Sequence, residues 1–156
     1  MKNLKIKLGV FIISMALTLS ASANSNIIKI AHSEYAFSYD PVFCNWSDVG
    51  RICAIAYDAL LKFEPTNKVL VPSLAKSYKK LDGGSKYRFI LNKNVAFHDG
   101  NKLTAQDVKY TFERVMAIKD GVANLIQDVK SINVIDDYTF DVLLKRPTAA
   151  FLYSLP

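Results

Sequence analysis

Lys86-Tyr87-Arg88-Phe89-Ile90-Leu91, Val95-Ala96-Phe97-His98-Asp99-Gly100 and Leu103-Thr104-Ala105-Gln106-Asp107-Val108 form the run that decides the fold. In its first part Tyr87, Phe89 and Leu91 fall on one face and Lys86 and Arg88 on the other, the period-two pattern of a half-buried strand. Val95 and Phe97 continue the apolar edge into a turn at His98-Asp99-Gly100. Thr104 and Asp107 then stand three apart before an apolar helical run, the spacing of a capping box. The threonine oxygen accepts an orphan amide, the carboxylate reaches back, and its charge suits the positive end of the helix dipole. Val108, Phe112 and Val115 line one face of that helix.

Working outward, Tyr78 to Leu81 pairs with the first strand across Asp82-Gly83-Gly84, where glycine permits a positive φ. A second hairpin sets Ile132-Asn133-Val134 against Tyr138 to Leu144 across Asp136-Asp137, with Phe140, Val142 and Leu144 alternating. Upstream, Ser47 or Asp48 caps a helix expected to run to about Leu61, its apolar positions being Ile52, Ile55, Ala56, Ala59 and Leu60. Pro65-Thr66-Asn67 breaks the chain, and Pro72-Ser73-Leu74-Ala75 reads as a short helical turn. Ile27 to Ala31 reads as a β-branched strand, followed by the aromatic, irregular stretch Ser33 to Asn45 with a turn at Asp40-Pro41. Arg146 to Leu152 reads as the start of a helix. The class is α/β (α+β): a mixed sheet with hairpins and packed helices.

The amino-terminal 23 residues have the three zones of a secretory signal peptide. Lys2, Lys5 and Lys7 precede an apolar stretch from Leu8 to Leu19, and Ala21-Ser22-Ala23 supplies the small residues of a cleavage site, so the mature chain is expected to begin at Asn24. As a helix the apolar stretch spans about 18 Å, against roughly 30 Å of hydrocarbon, which argues against a membrane span. No cysteine follows it to mark a lipoprotein. The expected destination is the bacterial periplasm. Without the three leader lysines the formal charge falls from +6 to +3. The remaining bases are scattered, whereas a nucleic-acid binder concentrates them on one face, so nucleic acid is not an expected partner. Residues 24–156 suffice for one modest domain, and the composition shows no low-complexity tract or repeat.

The order of these segments resembles the N-terminal part of the peptide/nickel-type (family 5) extracellular solute-binding proteins of ABC importers. Tyr39-Asp40-Pro41, Ile55 to Leu61, Val71 to Tyr78, the run from Lys86 to Val108, Asp137-Tyr138-Thr139 and Leu144 to Pro147 carry the likeness in unbroken order. The resemblance implies part of a two-lobed periplasmic-binding-protein fold. Residues 24–61 would begin lobe one, and residues 62–156 would form its inserted hairpin-and-helix subdomain, truncated at the C-terminus. The implied function is capture of a small solute, foremost a short peptide, for an inner-membrane permease, by a monomer that makes and breaks no bond. A nickel chelate, haem or another solute are alternatives within the family. Outside it stand an inert fragment of a disrupted gene and, weakest, a secreted hydrolase.

By position in the family, the ligand-contacting residues are Ser33, Glu34, Tyr35, Ala36, Phe37, Ser38, Asn45 and Trp46. Aromatic rings there supply apolar area at little rotamer cost, and free amides can pair with an extended peptide. The alternative for each single ring is ordinary core packing. Cys44 and Cys53, the only cysteines, can form a disulfide in an exported chain or remain two buried thiols. His32 and His98 are the only histidines and lack the helical spacing of a metal pair, and no glycine-framed serine marks a hydrolase elbow. No catalytic residue, metal or cofactor is therefore expected.

Overall fold

The computed structural model describes residues 38–44 and 47–156. The proposed leader and the strand at Ile27 to Ala31 lie outside the described residues. Among the described residues two helices, α1 (Ser47–Ala56) and α2 (Ala105–Ile118), accompany six strands. The strands are β1 (Leu61–Glu64), β2 (Val69–Pro72), β3 (Ala75–Leu81), β4 (Lys86–Leu91), β5 (Val129–Asp136) and β6 (Thr139–Leu144). Single 3-10 turns occur at Pro41–Phe43, Asp82–Gly84, Gly121–Ile126 and Ala150–Ser154. β1 and β2 form a separate hairpin, and the other strands form a sheet in the order β3-β4-β6-β5. Each of these strand pairs is antiparallel.

Alternation in β4 and β6 builds the centre of that sheet. Tyr87, Phe89 and Leu91 lie on the same buried face as Phe140, Val142 and Leu144, with Phe89 registered opposite Phe140. Those two rings are wholly buried and stack with centroids 5.3 Å apart. Burying a side chain of this size contributes about 1.5–3 kcal/mol. Val108, Phe112 and Val115 of α2 join the same core. The capping box is present: the Asp107 carboxylate accepts the Thr104 amide at 2.8 Å and its hydroxyl at 2.7 Å. The Ala105 amide donates to the Asp137 carbonyl at 2.7 Å, so the helix start is tied to the β5–β6 turn. The opposite sheet face is polar. There Arg88 donates to both oxygens of Asp141 at 2.7 and 2.9 Å, and Asp141 is only 7% exposed.

The β3–β4 turn falls where the glycines allow it, with φ of +66° at Gly83 and +99° at Gly84. Several expectations fail. The helix expected to start at Arg146 is only a 3-10 turn at Ala150–Ser154. Helix α1 ends at Ala56, not near Leu61: the carbonyls of Ala59 and Leu60 accept the amides of Leu74 and Ala75, and Leu61 is buried as the first residue of β1. Sheet contacts thus override a helical spacing that continues in the sequence. Pro72 to Ala75 is no helical turn. Proline ends β2, and the Leu74 carbonyl and Ser73 carbonyl instead receive the amide and side chain of Asn92. Phe97 does not extend the apolar edge. It is half-exposed beside a single bridge between Ala96 and Lys102 that closes the His98-Asp99-Gly100 turn.

Candidate ligand-binding segment

Seven of the eight candidate contact residues, Ser33, Glu34, Tyr35, Ala36, Phe37, Asn45 and Trp46, lie outside the described residues. Ser38 is described and half-buried, and its hydroxyl accepts the Asp40 amide at 3.1 Å. The stretch from Ser38 to Cys44 thus forms the described middle of the segment, and its own chemistry accounts for its shape. Pro41 presets the φ of the 3-10 turn and has no amide to satisfy. The Asp40 carboxylate caps the turn by accepting the Val42 amide at 3.0 Å.

The same carboxylate is held from α2. Arg114 donates through Nη1 to Oδ1 at 3.0 Å and through Nη2 to Oδ2, a two-pronged pair across 74 positions of sequence. The Arg114 bonds, assisted by the Val42 amide, hold the Asp40 carboxyl below the usual carboxylate range, against the opposing effect of burial. Val42 points into the core at 2% exposure. Beneath it Gly121, with φ of +58°, comes so close that a Cβ there would lie 2.0 Å from the Val42 carbonyl oxygen. Tyr57 donates its hydroxyl to the Tyr39 carbonyl at 2.9 Å, and a disulfide joins Cys44 to Cys53 of α1. Cys53 is buried while Ile55 on the same helix is 75% exposed, so the expected apolar stripe of α1 is not buried throughout.

Sequence reasoning missed Arg114 and Gly121. Nothing near Arg114 in the chain points to a carboxylate 74 positions away. The family-signature turn has a local role: Asp99 accepts the Asn101 amide at 2.9 Å and its side-chain amide at 2.8 Å, and these bonds lower its carboxyl pKa. His98 beside it is exposed. Among the described residues no three His, Cys, Asp or Glu side chains gather as a metal site, and no helix is long and apolar enough to cross a membrane.

Residues 69–156 match the profile of the bacterial extracellular solute-binding proteins, family 5 middle region. The peptide transport periplasmic protein SapA of Salmonella typhimurium is 33% identical over 126 residues, covering 69% of this chain and 23% of its own length. The crystal structure of NikZ from Campylobacter jejuni with Ni(L-His) aligns at a TM-score of 0.68 and 26% identity, covering 78% of this chain and 24% of that one. The oligopeptide-binding protein AppA of Bacillus subtilis, solved with a nonapeptide, aligns at 0.54 and 32% identity, covering 63% and 19%. The chain therefore spans about a quarter or less of the length of these relatives.

Proposed function

The chain belongs to the bacterial extracellular solute-binding proteins of family 5, and on that premise we propose that it serves solute capture in an ABC importer. It takes short peptides in the periplasm for delivery to an inner-membrane permease. In this reading residues 24–61 begin lobe one, residues 62–156 are its inserted subdomain, and Ser33 to Ser38 with Asn45 and Trp46 form a wall of the ligand cleft. The observation that carries it is the likeness to SapA, a peptide transport protein, supported by the likeness to AppA with its bound nonapeptide. An extended peptide suits such a wall, because backbone amides supply affinity and aromatic rings supply area. The proposed chemistry is binding alone.

A cleft closed between two lobes removes both faces of a ligand from water, and a single wall removes one. If a micromolar affinity were shared equally, one wall would retain about −4 of −8 kcal/mol, a millimolar interaction. Calorimetry of the chain with trialanine, nickel–histidine and haem tests the reading. Saturable trialanine binding in the millimolar range, stronger than for the other two, is the expected result. Preference for nickel–histidine would transfer the assignment to metal-chelate capture, the reading favoured by the NikZ likeness. Absence of any binding would count against the capture reading.

A further inference from the structure

The stretch from Tyr39 to Cys44 contains a single three-residue turn and belongs to neither sheet, yet it is fastened repeatedly. Tyr57 holds the Tyr39 carbonyl, Arg114 holds the Asp40 carboxylate, the core holds Val42, and the disulfide holds Cys44. These fasteners differ in what they fix. A buried valine fixes depth, and a disulfide fixes the distance to one point on α1. The planar guanidinium fork of Arg114 matches both carboxylate oxygens of Asp40, and so it fixes the orientation of the carboxylate plane as well. Because Oδ1 of that carboxylate also caps the Val42 amide, the orientation passes directly to the turn. Arg114 itself stands on a helix anchored by the Thr104–Asp107 cap and by the packing of Val108, Phe112 and Val115.

We propose that Arg114 is a positioning residue for ligand capture: through Asp40 it sets the angle at which Ser38 to Cys44 crosses the core of the inserted subdomain. The inference rests on the cleft-wall reading given above, since the chain on either side of this stretch is the proposed wall. A lysine in place of Arg114 keeps the charge but loses the fork, so it should hold the carboxylate without orienting it.

The experiment uses the full chain with Arg114→Met, Arg114→Lys and Asp40→Asn, the last of which keeps an oxygen to cap Val42. Hydrogen exchange is followed at residues 39–44 and at β4 as an internal reference. Trialanine is titrated against the fluorescence of Trp46, the single tryptophan. Arg114→Met should raise exchange at 39–44 by roughly three- to tenfold and weaken trialanine by a similar factor, leaving β4 unchanged. Arg114→Lys should recover protection at 39–44 in large part but trialanine affinity much less. Unchanged exchange at 39–44 in Arg114→Met, or equal loosening of β4, would overturn the role of Arg114. So would equal recovery of protection and affinity by lysine. A wild-type chain silent to trialanine, with 39–44 still loosened by Arg114→Met, would sink the cleft-wall reading and the proposed capture role together.

Discussion

Replacing Gly121 with alanine should be among the most damaging single-methyl changes available to this chain. The added Cβ would lie 2.0 Å from the Val42 carbonyl oxygen and 2.9 Å from its carbon, both backbone atoms that no rotamer change can move. Val42 has little freedom to retreat, because Asp40 is held by Arg114 and Cys44 by Cys53. Forcing an atom into a filled space costs roughly 1–3 kcal/mol. The φ of +58° adds about 1–2 kcal/mol for a residue with a side chain. The sum, about 2–5 kcal/mol, is a large part of the 5–15 kcal/mol typical of a domain. Gly83 is the control: its φ of +66° is nearly the same, but a Cβ there meets nothing within 4 Å. Gly83→Ala should therefore cost only the backbone part, about 1–2 kcal/mol. Urea unfolding followed by circular dichroism should place the Gly121→Ala midpoint roughly 1 M or more below the wild type, and clearly below Gly83→Ala. If the two variants unfold at the same midpoint, the close approach does not constrain the fold and the reasoning fails.

Phe140→Ala removes one ring of the stacked pair at the sheet centre and should cost about 3–5 kcal/mol in the same urea assay. Thr104→Ala removes half the capping box and should cost about 1 kcal/mol, seen first as faster hydrogen exchange at the start of α2. The Arg88 hydrogen bonds hold the Asp141 carboxyl below its ordinary value of 3.8 despite burial, and Arg114 does the same for Asp40. A depressed folded-state value means that this stabilisation is complete above the unfolded pKa and is lost as pH falls through the folded one. The urea midpoint should hold at mildly acidic pH and drop below about pH 4, and Asp141→Asn should flatten part of that drop. A midpoint constant down to pH 2 would contradict the assignment.

The parts of this fold legible in the sequence are those whose periodicity and capping are local. Alternation at Tyr87, Phe89 and Leu91 and at Phe140, Val142 and Leu144 gives both central strands, because each face repeats within a few residues. Thr104 and Asp107 mark a helix start by bonding to each other. The end of α1 was hidden because it depends on Leu74 and Ala75, which take the carbonyls of Ala59 and Leu60. Phe97 reads as core by composition, but a tight turn carries it outward. The fastening of Ser38 to Cys44 was legible at Asp40-Pro41, where the turn is local, and half legible at Cys44 and Cys53, where a disulfide stood against two buried thiols. Arg114 and Gly121 act through tertiary approach, which leaves no mark at any fixed spacing.

The order β3-β4-β6-β5 also governs how the sheet assembles. Each outer pair is a hairpin with a short connection and can close on the microsecond scale typical of hairpins, about 1–10 μs. The central pair joins residues as far apart as Arg88 and Asp141, 53 positions, with α2 in the intervening chain. That union carries the heavier loop-closure entropy, and its reward comes only when Phe89 meets Phe140. The slow step of folding is therefore expected to be the zippering of two preformed halves along β4 and β6. Mutations in this seam should slow folding, and mutations at the outer edges should mainly hasten unfolding.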